Sequence, residues 1–300
     1  MKALVATDYG DVDKLEFRDM PNPSLGEGQV RVKVTAAGLN PIDWKLLTGQ
    51  RRAMMPLQFP AVLGRDASGE VLEVGAGVKG LRPGDKVLGL AWGTFAEQVV
   101  AAEDAWAKLP AHLDPIEAAA VPLVVLTGAQ LVDLLPIKKG ETVLVTGAVG
   151  SVGRTAVFVA KSRGASVWAG VRTQQKSQAQ SLGVEAVVAI DDDAEIAKLP
   201  QFAHVADTVG GATIAKLLPH MKKGGTLGSV LGEPPGAKEQ GVKVAALLSK
   251  PNSGQLAQLA QAVAEGKLTI PVARRFPLAQ GAEAIRFARE GSPGKVLLIP

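Results

Sequence analysis

The chain has 300 residues, 47% of them hydrophobic, so at roughly 100 to 200 residues per domain it implies two cores. It has no cysteine, and His112, His204 and His220 are scattered, which excludes disulfides and thiolate zinc sites and leaves no metal expected. The net charge of +4 is too small, and pairs such as Arg51-Arg52 and Arg274-Arg275 too isolated, for nucleic acid to be a partner. Asp8 interrupts the start before a signal-peptide core forms, and the richest apolar stretch, Ala118 to Val132, is broken by Pro122, Thr127 and Gln130. A soluble cytoplasmic protein is expected, with no membrane partner.

Residues 1 to 118 read as mostly β, because runs such as KALVA, QVRVKVTAAG, GEVLEVG and DKVLGL are separated by Gly, Pro and Asp punctuation. From residue 119 strands and helices alternate: TVLVT, a helix from Val152 to about Gly164, ASVWAGV, the helix QQKSQAQSLG, AVVAI, a short helix near 193 to 199, HVADTV, the helix ATIAKLLPHM, and GTLGSVL. That alternation predicts a doubly wound parallel sheet of Rossmann type. After VKVAALLS and the amphipathic GQLAQLAQAVAEGKL come a short extended segment, a helix ending at Arg289 and the closing strand GKVLLIP. The fold class is therefore α/β, with a β-rich domain over 1–118 and 262–300 and a dinucleotide domain over 119–261. The closing segment is expected to return to the first domain.

The stretch VLVTGAVGSVGRTAVFVAK, residues 143 to 161, carries the chemistry. A buried strand passes through a glycine turn into a helix, so backbone N–H groups point outward at the positive end of the helix dipole, a site for phosphate. Read as a P-loop, AVGSVGRT lacks the first glycine at Ala148 and the lysine at Arg154. A short-chain dehydrogenase would need a glycine at Ser151 and a Tyr-x-x-x-Lys, whereas the sole tyrosine, Tyr9, is followed by Asp13. A dinucleotide fingerprint fits, with Ala148-x-Gly150-x-x-Gly153 and extra turn freedom at Gly147. The remaining alternative is a tight turn with no ligand. About twenty residues on, where an acid would bind a ribose 2′-hydroxyl, the chain has Arg172-Thr173-Gln174-Gln175-Lys176. Positive charge and hydrogen-bond donors there predict NADPH over NADH, unless Arg172 is only a solvated residue at a helix start.

Several blocks in order carry a family resemblance: Asn40-Pro41-Ile42-Asp43-Trp44-Lys45, FPAVLGRDASGEV, Gly84-Asp85-Lys86-Val87, GTFAEQ, VPLVVLTGAQ, TGAVGSVG, VADTVGG, KKGGTL and GKVLLI. The chain resembles the medium-chain dehydrogenase/reductase superfamily, in its zinc-independent, NADPH:quinone oxidoreductase-like branch. Zinc alcohol dehydrogenases of that superfamily carry Gly-His-Glu where this chain reads Gly64-Arg65-Asp66, and they have an early cysteine ligand and four structural-zinc cysteines that this chain lacks.

The resemblance implies a GroES-like catalytic domain, a Rossmann domain, a cleft between them and a homodimer. It implies hydride transfer from NADPH to a quinone or activated α,β-unsaturated carbonyl, acceptors that need no Lewis acid. By the same analogy Asn40, Asp43 and Lys45 are the catalytic candidates. The cofactor-binding set is Thr127, Gly147, Ala148, Val149, Gly150, Ser151, Val152, Gly153, Arg172, Thr173, Lys176, Val209 and Leu231. Asn40-Pro41 reads equally as a turn, Asp43 as a cap of WKLLTG and Lys45 as a surface charge. Some relatives place a tyrosine in the loop after the Asn segment as a proton donor. Here TGQRRAMMPLQFP has none, which leaves solvent or Lys45 as the proton source and keeps open a non-catalytic NADPH-binding sensor or structural protein. Met54, Met55, Leu57 and Phe59 in that loop, with Trp44 and Trp92, are expected to wall an apolar acceptor.

Overall fold

The computed structural model describes residues 1–300 and divides them into two compact units, Met1–Leu123 with Lys250–Pro300, and Val124–Ser249. The first segment runs β1 (Lys2–Ala6), β2 (Leu15–Asp19), β3 (Gln29–Leu39), α1 (Pro41–Leu47), β4 (Ala61–Val62), β5 (Asp66–Val74), β6 (Lys86–Leu90), β7 (Gln98–Ala102) and β8 (Trp106–Lys108). Helix α2 (Pro122–Asp133) leads into the second unit. There follow β9 (Thr142–Thr146), α3 (Ser151–Ser162), β10 (Ser166–Val171), α4 (Lys176–Gln180), β11 (Ala186–Ala189) and α5 (Asp193–Ile196). Next come β12 (Phe202–Asp207), α6 (Gly211–Leu217), β13 (Met221–Ser229) and β14 (Lys243–Ala246). The chain then returns to the first unit as α7 (Ser253–Ala264), β15 (Val272–Pro277), α8 (Gly281–Arg289) and β16 (Lys295–Ile299).

In the first unit β3 is the organising strand. Val30, Val32 and Val34 are buried while the intervening Arg31 and Lys33 reach outward, the period-two pattern of a half-buried strand. One sheet runs β15-β16-β3-β5-β6-β8, with β7 also on β3, and a second runs β2-β1-β4. The first unit's core joins the valines of β3 to Leu47, Leu63, Phe95, Phe276, Ile285 and Leu298, so the C-terminal segment is part of one core with the N-terminal one.

The second unit is a six-stranded parallel sheet in the order β11-β10-β9-β12-β13-β14. Val143, Leu144 and Val145 of β9 are fully buried, as a central parallel strand requires. Strand order reverses between β9 and β12, and the carboxyl ends of strands at such a switch point form a ligand-binding edge.

The sequence placed domain boundaries at 118/119 and 261/262, whereas the compact units change over at 123/124 and 249/250. Helix α7 accounts for the second offset: its amphipathic face packs on β8. Periodicity shows that a helix has a buried face without showing which sheet covers it.

Candidate active site

Asn40 directly follows β3 and stands at the N-cap position of α1, with Pro41 as the first helical residue. The expected cap at Asp43 is thus three residues too late. Asp43 instead occupies the third helical position, and its Oδ2 accepts the Asn40 N–H at 2.8 Å. Asn40 is 1% exposed, and its side chain is fully engaged. Nδ2 donates to Gly38 O at 3.1 Å and to Asp66 Oδ2 at 2.9 Å, while Oδ1 accepts from Lys295 Nζ at 2.5 Å. Lys295 Nζ also donates to Leu39 O at 3.0 Å and Asp66 Oδ2 at 3.2 Å, and Asp66 Oδ1 accepts the Leu123 N–H at 2.7 Å. One buried polar knot therefore joins the end of β3, the start of β5, the start of α2 and the start of β16.

Asp43 is sealed from solvent and its Oδ1 has no hydrogen-bond partner. Burial pushes its carboxyl up to about 7, against the lowering effects of the Asn40 N–H, Lys295 and Arg65. Lys45, on the next part of the helix, is half-buried and makes no ion pair. Burial, assisted by the Arg51 charge, moves its ammonium below the usual lysine value. Of the three catalytic candidates, Lys45 alone has a polar atom free to meet another molecule.

The loop after α1 lacks a tyrosine of its own, yet one reaches it from the connection after β1. Tyr9 Oη accepts the Leu57 N–H at 2.7 Å, its ring meets Phe59 edge-on at 4.8 Å between centroids, and the Arg52 guanidinium lies 4.9 Å from its centroid. Nothing local in the sequence links Tyr9 to Leu57, 48 positions away. Met54 is 67% exposed in the same loop, while Met55, Leu57 and Phe59 are partly buried.

In the second unit the predicted cofactor residues gather at the carboxyl edge of the parallel sheet. Gly147 directly follows β9 with φ +64°, and a Cβ there would overlap Thr208 Oγ1. A Cβ on Gly153 would overlap the Gly147 carbonyl oxygen, so the turn and the first turn of α3 touch through glycine alone. At Gly150 the nearest atom to such a Cβ is 3.3 Å away, and as the N-cap it offers no side chain to the helix. The N–H groups of Ser151, Val152 and Gly153 therefore start α3 uncapped, with Ala148 and Val149 buried beneath.

Arg172, Thr173 and Lys176 follow β10 as expected, but two of them are occupied. Thr173 N and Oγ1 both donate to Asp191 Oδ1, at 2.8 and 2.9 Å, and Lys176 Nζ pairs with Glu195 at 2.7 Å. Arg172 makes no side-chain hydrogen bond or ion pair, although after the Thr173 N–H its charge is one of the groups that lower the pKa of Asp191, and its backbone N–H bonds Gln175. Thr127, on α2, shares a 2.6 Å hydrogen bond with Ser249. Val209 and Leu231, after β12 and β13, are 40% and 38% exposed on the same sheet edge.

The sequence reading missed Asp207. Buried at the end of β12, it accepts from Thr146 Oγ1, Ser229 Oγ and the N–H groups of Val209 and Gly210, at 2.8 to 3.1 Å. It thus ties three strand ends into one rigid edge. Its signal was an acid inside the largely buried HVADTV, as Asp66 and Lys295 were charges inside buried runs.

The family model described as "Alcohol dehydrogenase GroES-like domain" matches residues 26–111, and one described as "Zinc-binding dehydrogenase" matches 182–298. The chain is 31% identical to the chloroplast envelope quinone oxidoreductase homolog of Arabidopsis thaliana, covering 100% of this chain and 98% of that protein. It is 32% identical to the chloroplastic NADPH-dependent alkenal/one oxidoreductase of the same plant, over 100% of this chain and 80% of that one. The quinone oxidoreductase structure from Coxiella burnetii superposes with a TM-score of 0.89 at 30% identity, covering 100% and 99% of the two chains. The chain belongs to the medium-chain dehydrogenase/reductase superfamily.

Within that superfamily its quinone oxidoreductase-like character extends over the whole length. The zinc named in one family description does not suit the donors present. No three His, Cys, Asp or Glu side chains gather in a ligating group, and Arg65 stands between Gly64 and Asp66. As a member of this superfamily the chain does offer a dinucleotide what it needs: glycine contacts without Cβ atoms, an uncapped helix N-terminus and, past β10, an arginine whose side chain makes no hydrogen bond or ion pair.

Proposed function

We propose that this protein is an NADPH-dependent oxidoreductase that passes hydride to a quinone or an activated α,β-unsaturated carbonyl. The observation that carries the reading is the uncapped start of α3 over the Gly147–Gly153 turn, at the switch point of a parallel sheet. The names of the Arabidopsis and Coxiella relatives support the acceptor class and the reduced cofactor.

The residues suited to hold the cofactor are the turn Gly147, Ala148, Val149, Gly150, Ser151, Val152 and Gly153 for the diphosphate, and Arg172 for the 2′-phosphate. Thr127, Val209 and Leu231 serve the remainder, and Thr173 and Lys176 can join Arg172 by exchanging their present acidic partners. Bound there, the reduced nicotinamide supplies a hydride, which an electron-poor alkene or quinone accepts without a metal. Asn40 and Asp43 act as positioning residues, since their polar atoms face inward. Lys45, an unpaired ammonium with a lowered pKa, is the group suited to deliver a proton to the reduced acceptor.

The proposal includes a homodimer in the cytoplasm, which light scattering of purified protein and fractionation test. No helix is long and apolar enough to cross a membrane. Loss of reduced-nicotinamide absorbance with a panel of quinones and enones is the deciding assay. Turnover is expected, with NADPH preferred. Binding without turnover would leave a non-catalytic NADPH sensor, and no binding of either nucleotide would remove both readings. Arg172→Ala is expected to weaken NADPH by about tenfold and NADH little, because a charge-assisted contact to phosphate contributes on the order of 1.5 kcal/mol.

A further inference from the structure

We infer that Arg65 forms an oxyanion site on the first unit, its guanidinium receiving the acceptor's carbonyl oxygen as negative charge gathers there. The identity of the ligand rests on the reductase reading above; the site rests on the surroundings of Arg65 itself.

Arg65 lies between β4 and β5 and is 6% exposed, a burial that arginine rarely shows unless it is paired. Here no carboxylate pairs with it. Nε donates to Ala91 O at 3.2 Å, and the guanidinium carbon lies 3.7 Å from the centroid of the Trp92 ring. The hydrogen bond fixes one edge of the planar group and the indole fixes one face. Neither Nη atom has a protein acceptor. Nor is either among the sealed polar atoms without partners, which are Asp43 Oδ1, Thr94 Oγ1, Trp106 Nε1 and His204 Nδ1. The two Nη groups therefore open outward from an otherwise buried, oriented side chain.

Such a fork accepts either a resident anion or an oxygen that becomes one. Burial lowers the pKa of the guanidinium and the nearby Asp43 and Asp66 oppose that shift, while its unpaired Nη groups and the adjoining indole suit the second. A neutral carbonyl enters without the desolvation cost of a charge, and the attraction of the fork grows as negative charge develops on its oxygen, so a formed oxyanion is held more tightly than a neutral group. Trp92, 53% exposed, offers a flat apolar surface for a planar quinone or enone beside those donors.

Were a reduced nicotinamide to supply hydride, the electron-poor carbon of the acceptor would gain the new C–H bond. The π pair of the acceptor moves to its oxygen, where Arg65 holds the enolate or quinol anion until a proton from water or Lys45 completes it. The acceptor would gain the two electrons that the hydride donor gives up.

The test is calorimetric titration of the full-length protein with 4-nitrophenolate, a planar stand-in for the anionic product, and with neutral nitrobenzene, at mildly alkaline pH. The phenolate is expected to bind about tenfold more tightly, and Arg65→Met, which keeps side-chain length, to abolish that preference while leaving NADPH affinity within about twofold. Equal affinity of the wild type for the two compounds overturns the inference, and this arm needs no variant to fold. In turnover, Arg65→Met is expected to lower kcat by about a hundredfold, with Arg65→Lys recovering part of it. A folded Arg65→Met with kcat within about threefold of wild type also overturns the assignment. Selective phenolate binding by a protein that consumes no NADPH with any acceptor would keep the Arg65 site and sink the reductase reading instead.

Discussion

Asp43 and Lys295 show how differently two buried charges behave. Asp43 has one oxygen on the Asn40 N–H and one with no donor at all, and its carboxyl is raised from 3.8 to about 7 by burial. A carboxyl raised by folding keeps its proton in the folded state after the unfolded chain has released it. Its stabilising contribution is therefore complete below about 3.8 and fades as pH rises to about 7, after which it is flat. Each unit of separation is worth about 1.4 kcal/mol at most, so the thermal midpoint should fall measurably between pH 5 and pH 8. In Asp43→Asn that fall should be much smaller, because the amide still accepts the Asn40 N–H but does not titrate. Scanning fluorimetry across the pH range decides it, and identical slopes in both proteins would count against a buried, titrating Asp43. Lys295 is already paired, so its loss leaves Asp66 as an uncompensated buried charge. Lys295→Met should cost about 3–5 kcal/mol, and Lys295→Met with Asp66→Leu should recover part of it, since neither charge then remains. Thermal midpoints of the single and double variants measure the difference.

At the scale of elements, the strand–turn–helix of β9 and α3 was legible because every signal is local. Three fully buried apolar residues, the glycines and the following helix lie within one short stretch, and each glycine meets its constraint inside it or at Thr208. The knot around Asn40 was not legible, because Lys295 reaches Asn40 across 255 positions and no pattern in either segment encodes the other. The same holds for Thr173 and Lys176. Their donor character was visible, but the acids that occupy them, Asp191 and Glu195, belong to later elements. The glycine turn yields a sharp contrast. Gly153→Ala places a methyl on the Gly147 carbonyl and must push backbone apart, so both the thermal midpoint and NADPH affinity should fall. Gly150→Ala meets nothing nearer than 3.3 Å. A slight shift of the Gly147 carbonyl accommodates it, so stability should stay within about 1 kcal/mol, a helix-start substitution of modest cost, yet NADPH should bind more weakly, because the proposed diphosphate sits at this N-cap. Calorimetry and melting curves on both variants separate packing from binding. Unchanged NADPH affinity in Gly150→Ala would place the diphosphate elsewhere.

For the whole molecule, the discontinuity of the first unit makes the two units unequal as independent folders. Val124–Ser249 carries its complete parallel sheet and its own apolar core, in which Leu144, Phe202, Val205, Ile214 and Leu227 meet. The first unit has no such autonomy in either of its segments. Without Lys250–Pro300, β3 loses β16 along Ala37–Leu39, and Phe276, Ile285 and Leu298 leave the core. Asn40 and Asp66 lose Lys295 as well. That the last strand returns was readable from GKVLLIP as a closing apolar run, but its partner was not, since strand pairing depends on topology rather than composition. A segment spanning 122–249, which keeps helix α2 whole, is therefore expected to fold alone and to bind NADPH within about tenfold of the full chain, because the phosphate-holding groups all lie in it. It should reduce no acceptor, since Lys45 and Arg65 are absent. A segment spanning 1–123 should remain unfolded by circular dichroism and recover structure only when 250–300 is supplied beside it. A folded, isolated 1–123 would mean that the β3–β16 pairing and the Lys295 knot contribute far less than their burial implies.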